Sequence, residues 1–301
     1  INKFRGDLRL FESGVKMLEE LCGIPVLGVV PYYKDIYIEE EDSVALATKS
    51  MQATKGKVNI AVVMLRHLSN FTDFNVLERD PRVRLFYTNN TEEIAKADII
   101  LLPGSKSTLD DLYELRRNGV AQAIIRAHRD GVTVMGICGG YQMMGQEVLD
   151  PDHVEGDIDR LPGLGLLPTT TRMTGAKVTR QVRFALNNEV TAGDCNLSGY
   201  EIHMGTTVPV DGAAYTPLNR LEDGQEEGCL VDRTCMGTYI HGILDNAAFI
   251  DYLLEPFAGK VKERSTFDYQ AFKEQQYDKL ADHVRAHVNL PLVYQILKQH
   301  D

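Results

Sequence analysis

The chain has 301 residues, 44% apolar and 25% charged, with a net charge of −11 at neutral pH. That length accommodates one large or two ordinary domains, and an acidic balance without any basic block argues against nucleic acid or an anionic membrane as partner. No apolar run approaches a membrane span, no signal-peptide pattern opens the chain, and the five cysteines lack disulfide-framework spacing, so reduced thiols in a cytoplasmic protein are expected.

Residues 1–4 and 24–30 read as apolar strands on either side of a helix over 8–21, a β-α-β unit that resembles the end of a preceding α/β domain. The acidic stretch within 37–57 reads as a linker, which bounds a first region at 1–50. Strand–helix alternation then begins. Strands are predicted at 58–65, 83–88, 98–102 and 132–137, and helices at 92–97 and 108–129. Such alternation argues for an α/β fold with a parallel sheet and helices on both faces. After residue 150 the segments 177–186, 199–203, 228–231 and 237–241 are short and separated by turn residues, as in antiparallel strands. From 247 onward the pattern is helical, over 249–257, 269–288 and 292–298, which sets 251–301 apart as a C-terminal extension of a domain spanning 57–250.

The chemistry concentrates at residues 134–145. A buried apolar strand ends at Cys138, and Gly139 and Gly140 follow before a helix can start, the pattern of a nucleophile elbow. Unusual dihedrals are expected of the flanking glycines, and a helix N-terminus behind the sulfur favours a thiolate. A nucleophilic thiolate needs a proton carrier and a pocket for the tetrahedral oxygen. His241 ends the apolar run 237–241 and is the first candidate for the carrier, with His203 its rival. Backbone N–H groups of Gly139 and of the loop after the 98–102 strand, Gly104 and Ser105, would form the oxyanion pocket, because in a parallel sheet both loops reach the same edge. That loop lacks the spacing of a phosphate-binding Walker loop. Neither Cys229 with Cys235 nor His283 with His287 completes a ligand set, so no metal is expected.

The segments Gly136-Ile137-Cys138-Gly139-Gly140-Tyr141-Gln142, Pro103-Gly104-Ser105 and Gly237-Thr238-Tyr239-Ile240-His241-Gly242 resemble the triad-type glutamine amidotransferase domain. More narrowly, Tyr200-Glu201-Ile202-His203 with Gly205, residues 68–74, the opening 1–7 and the helical tail around 276–284 are similar to the cobyric acid synthase branch of that family. The resemblance implies a flavodoxin-like class I amidotransferase sheet that splits glutamine and passes ammonia on. A separate domain, whose tail residues 1–50 would represent, would use ATP and magnesium to activate the carboxylates of a corrinoid acceptor. No cofactor is implied for these 301 residues themselves. Gln142, just after the elbow, would contact bound glutamine.

One departure matters. Triad enzymes place a glutamate two residues after the histidine, and here that position is Ile243. Either a Cys–His dyad operates, or another carboxylate, Glu201 or Asp245, orients the ring. A dyad would predict low basal glutaminase activity. Two related amidotransferases, cobyrinic acid a,c-diamide synthase and a glutaminase of cell-wall precursor amidation, share the Cys-Gly-Gly elbow, and a Cys–His hydrolase or a non-catalytic binding module of the same fold are further alternatives.

Overall fold

A computed structural model describes residues 1–38, 52–187, 190, 196–260 and 268–298. The acidic run 39–42 of the predicted linker lies outside the described residues. The chain divides into two compact units, Ile1–Glu39 with Asp268–Asp301, and Glu40–Phe267.

In the smaller unit the predicted strands at 1–4 and 24–30 are reduced to single bridges, Phe4 with Pro31 and Gly28 with Val288. Residues 1–4 and 28–32 still share backbone hydrogen bonds, from Val30 to Ile1, from Phe4 to Val30 and from Tyr32 to Phe4, but these do not extend into a ladder. Helix α1 (Glu12–Cys22) forms where the apolar spacing indicated and ends on Gly23 in the left-handed conformation. The helices Tyr269–His287 and Leu290–Lys298 belong to the same unit.

The larger unit holds fifteen strands among the described residues. β1 (Val58–Val63), β3 (Val83–Thr88), β4 (Ile99–Leu102) and β6 (Thr133–Ile137) are almost wholly buried, as their unbroken apolar sequences require of parallel strands covered on both sides. With β13 (Cys229–Asp232) and β14 (Cys235–Thr238) they form one sheet in the order β13-β14-β6-β4-β1-β3, parallel except for the β13–β14 pair. The short strands β2 (Leu68–Ser69) and β5 (Gly104–Ser105) pair with each other and tie the loop after β1 to the loop after β4. The remaining strands, β7 (Glu147–Leu149), β8 (Arg160–Pro162), β9 (Thr169–Leu186), β10 (Leu197–Pro209), β11 (Asn219–Leu221), β12 (Glu226–Glu227) and β15 (Ile240–His241), form a second sheet that is antiparallel apart from the β7–β9 pair.

Short helices α2 (Asn75–Arg79) and α3 (Thr91–Ile94) follow β1 and β3 in the chain. The predicted single helix over 108–129 is two, α4 (Thr108–Arg117) and α5 (Val120–Arg129), because Gly119 takes a φ of +85° between them. Beyond Cys138 comes α6 (Gly139–Met144), and α7 (Ala247–Leu254) closes the unit. The run 237–241 is not one strand. It breaks at Tyr239, where the chain leaves β14 in the first sheet and enters β15 in the second.

Candidate active site

Cys138 stands where β6 turns into α6, with φ +53° and ψ −113°. A non-glycine residue in that region is strained by about 1–3 kcal/mol and is characteristic of functional elbows. The strain falls on the cysteine rather than on the glycines beside it, none of which has a positive φ. Those glycines are needed for closeness. A Cβ on Gly140 would lie 2.0 Å from the Leu102 carbonyl oxygen, one on Gly136 2.6 Å from the backbone of Gly140, and one on Gly139 2.8 Å from the Ser105 nitrogen. The elbow is therefore pressed against the end of β4.

The second sheet delivers His241. Thr238 pairs with Ile137, so β14 and β6 end level at the same sheet edge, and the Cys138 N–H donates to the Thr238 carbonyl at 2.8 Å. Three residues later the His241 ring is fully buried. Its Nδ1 lies 2.7 Å from Oδ2 of Asp73, while Oδ1 of Asp73 accepts from the Gly242 N–H at 3.0 Å. Asp73 lies on a 3₁₀ turn, Phe71–Phe74, just after β2, so the β2–β5 pairing brings it to the edge where β4, β6 and β14 end. Burial disfavours the charged ring, but the Asp73 carboxylate, through its charge and hydrogen bond, outweighs burial and holds the His241 pKa well above the ordinary imidazole value. Cys138 acts in the same direction and so lies within electrostatic reach of the ring, although Nε2 has no partner in hydrogen-bonding geometry. The thiol instead donates to the Ile202 carbonyl at 3.5 Å. Tyr200 stacks on the His241 ring at 5.1 Å and accepts a hydrogen bond from Asn70.

This arrangement corrects the expected orienting group. The carboxylate on the ring is Asp73, and there is no bare dyad. Glu201 is turned to Arg180, to which it is hydrogen-bonded, because β10 sends alternate side chains to opposite faces and Tyr200, not Glu201, pairs with His241. His203 stacks instead on Tyr239 at 3.8 Å, its Nδ1 is buried without a partner among the described residues, and burial lowers its pKa against the opposing charge of Glu201.

Gly104 and Ser105 lie where the sheet edge demands. A Cβ on Gly104 would sit 3.4 Å from His241 Cε1, and Ser105 is fixed by its hydroxyl donating to Asp111 at 2.6 Å. Gln142 differs from expectation. Its amide nitrogen donates to the Met204 carbonyl at 2.8 Å and to the Tyr239 hydroxyl at 3.2 Å, and its oxygen accepts from Thr108 at 3.1 Å. Both amide protons serve the fold, so Gln142 links α6 to β10 and α4 instead of offering donors to a ligand. A cavity of about 430 Å³ lies beside the site, walled by Arg180, Glu201, His203, Tyr215, Glu227 and Tyr239 among others.

Asp73 is what reasoning from residue patterns missed. Its only signal was the likeness of residues 68–74 to the cobyric branch, without a role attached to the aspartate. Cys229 and Cys235 are buried, with thiols pushed up to about 12 by burial, and the four described cysteines are free. The ring nitrogens of the His283 and His287 pair each meet a backbone carbonyl, of Pro31 and His283 respectively.

Comparison with known proteins identifies the family. Residues 59–249 match the family model of the CobB/CobQ-like glutamine amidotransferase domain. Cobyric acid synthase of Bacteroides fragilis is 75% identical over 301 residues, covering 100% of this chain and 60% of that protein, and that of Salmonella choleraesuis is 42% identical over 316 residues, covering 100% and 61%. The chain thus spans about 60% of the length of the curated relatives it matches. Among solved structures, that of PurLQS from Thermotoga maritima superposes with a TM-score of 0.51 at 19% identity, over 67% of this chain and 99% of the other, which is a likeness of fold.

Proposed function

Since the chain belongs to the CobB/CobQ-like glutamine amidotransferase family, we propose that it hydrolyses glutamine through a thioester on Cys138 and that, within a cobyric acid synthase, the ammonia serves ATP-dependent amidation of corrinoid carboxylates. The observation that carries this reading is the Asp73–His241 contact of 2.7 Å at the edge where the Cys138 elbow ends.

Each step maps onto a named atom. The Cys138 proton passes to His241 Nε2, and the imidazolium is the counter-ion a thiolate requires. Sγ attacks the side-chain amide carbon of glutamine. Backbone N–H groups of Gly139 and the Gly104–Ser105 loop face the oxygen of the tetrahedral intermediate, whose charge develops only there. Nε2 returns the proton to the departing nitrogen, releasing ammonia and leaving the γ-glutamyl thioester. His241 then takes a proton from water, which attacks the thioester and frees glutamate. Asp73 holds Nδ1 protonated throughout, which keeps Nε2 in the tautomer both transfers need.

These 301 residues contain no loop of Walker spacing, and ATP and magnesium are assigned to a separate activating domain, with the corrinoid reached through it. No described helix is long and apolar enough to cross a membrane, and cytoplasmic placement is part of the proposal. The test is Cys138→Ser in the full-length synthase. Glutamine-dependent amidation of cobyrinic acid a,c-diamide should vanish while ammonia-dependent amidation persists. Equal loss of both would refute the assigned role.

A further inference from the structure

Cys138 and His241 belong to different sheets, so their approach depends on whatever fixes the crossing at Tyr239. Hydrogen bonds converge there on one buried carboxylate and its neighbour. Glu227 accepts from the Tyr239 N–H, from the Thr238 hydroxyl at 2.6 Å and from the Asn219 amide at 2.7 Å, and the Thr238 oxygen in turn accepts from the Ile240 N–H at 3.0 Å. The Thr238 carbonyl on the same residue accepts the Cys138 N–H. Thr238 is therefore bound on one side to the nucleophile's backbone and on the other to Glu227.

Glu227 occupies the matching crossing of its own segment. It ends β12 in the second sheet, and two residues on, Cys229 begins β13 in the first. Gly228 between them has φ +72°, and a Cβ there would lie 2.6 Å from the Gly237 carbonyl oxygen. Two chain crossings thus lie against each other, and Glu227 is the side chain that joins them. Both of its oxygens accept hydrogen bonds, three in all.

We infer that Glu227 is a positioning residue for the glutaminase reaction: by fixing the Thr238–Tyr239 peptide where the chain passes between sheets, it sets the distance of His241 from Cys138. The inference rests on the glutaminase reading above. It goes further in assigning the registration of the two sheets to one side chain, bonded to the chain crossing and not to Cys138 or His241. An enzyme whose reacting groups come from two sheets needs a fixed crossing, because a displacement of about 1 Å costs on the order of 100-fold in rate.

The test compares Glu227→Ala, Glu227→Asp and Glu227→Gln in the full-length protein at pH 8, with circular dichroism and melting to establish folding. Glutaminase kcat and KM are measured beside the rate of Cys138 alkylation by iodoacetamide. Glu227→Ala should lower kcat by about 30- to 100-fold with KM changed by less than about threefold, since misplacement of His241 affects the reaction rather than binding. Glu227→Gln keeps an oxygen for the Tyr239 N–H and should recover most of the rate. Alkylation of Cys138 should slow about tenfold in Glu227→Ala, because the imidazolium no longer stands beside the sulfur. If Glu227→Ala does not fold, Glu227→Asp, one methylene short of reaching both donors, decides with an expected loss of about tenfold in kcat. A folded Ala or Asp variant with kcat within about twofold of wild type, or a Gln variant as impaired as Ala, would overturn the inference. Wild-type protein that turns over no glutamine, combined with slowed alkylation in the variant, would remove the glutaminase reading and leave the positioning role standing.

Discussion

Replacing Asp73 by Asn isolates the contact on which the proposed reaction turns. Asp73 has two acceptor duties, Oδ2 toward His241 Nδ1 at 2.7 Å and Oδ1 toward the Gly242 N–H at 3.0 Å. An amide of the same shape has one oxygen. If that oxygen faces the ring, the amide nitrogen confronts the Gly242 N–H, donor against donor. If the amide is flipped, it donates to Nδ1, and the proton moves to Nε2, where the ring can no longer accept from Cys138. Loss of one charge-assisted hydrogen bond is worth about 1.5–3 kcal/mol, or roughly 10- to 150-fold, and enforcing the wrong tautomer raises the loss toward 10⁴-fold. The expected fall in glutaminase kcat is therefore about 100-fold or more, measured as glutamate release. Because Asp73 is what lifts the His241 pKa, the titration of the ring, followed by NMR of labelled histidine, should move down toward its ordinary value. The imidazolium's contribution to stability, present below that ordinary value and lost as pH rises through the folded value, should shrink with it. A variant with kcat within about threefold of wild type and an unmoved titration would refute the reasoning.

The other expectations are more compact. Gly140→Ala places a methyl group 2.0 Å from the Leu102 carbonyl oxygen, and a melting experiment should find it destabilised by about 3 kcal/mol or not folded; an unchanged melting temperature would mean that the elbow can move away from β4. His203→Gln should cost less than about tenfold in kcat, whereas a loss equal to that of His241→Ala would reverse the assignment of the two histidines. Burial, opposed by its hydrogen bonds to Thr238, Tyr239 and Asn219, pushes the Glu227 carboxyl from 4.5 up to about 7, with Glu201 also raising it. The native state then holds this proton more tightly than the unfolded chain, so its contribution of about 3 kcal/mol is complete below pH 4.5 and lost as pH rises to about 7. Melting in buffers across that window should reveal the loss, and Glu227→Gln should flatten it.

The sequence made the nucleophile and its histidine legible for a physical reason. Buried parallel strands are continuous apolar runs, and a polar residue ending one must stand at the sheet edge. Cys138 ends such a run, and His241 ends an apolar run that reads as one although its last two residues, β15, pair antiparallel in the second sheet. Asp73 ends nothing. It lies on a single 3₁₀ turn, one of 43 acidic residues, and reaches the ring only because β2 and β5 pair Leu68 with Ser105 and Ser69 with Gly104, far apart in the chain. No periodicity carries that information. The crossing at Tyr239 was hidden by the opposite circumstance: residues 237–241 are apolar enough to read as one strand, and nothing local distinguishes a strand that continues from one that changes sheet. By contrast, the break between α4 and α5 was written in Asn118-Gly119, a turn signal that the apolar stripe on either side overrode. The glycines around Cys138 were read as conformational when they are steric, since pattern alone does not tell a residue that must bend from one that must be thin.

The ring carboxylate also changes where restraint on idle glutamine turnover can act. Low basal activity was expected from an unoriented histidine, and Asp73 removes that ground, because ring angle and tautomer are both fixed at 2.7 Å. The other side of the ring faces Cys138, which adds to the rise of the His241 pKa while its thiol donates to the Ile202 carbonyl at 3.5 Å. Ile202 lies on β10, next to Glu201, which pairs with Ile240 of β15. The strand that holds the sulfur in its resting direction is thus the neighbour of the strand that holds the histidine. A shift of β10 against β15 would act on both partners of the proton transfer at once, whereas a shift of the Asp73 turn would act on the ring alone.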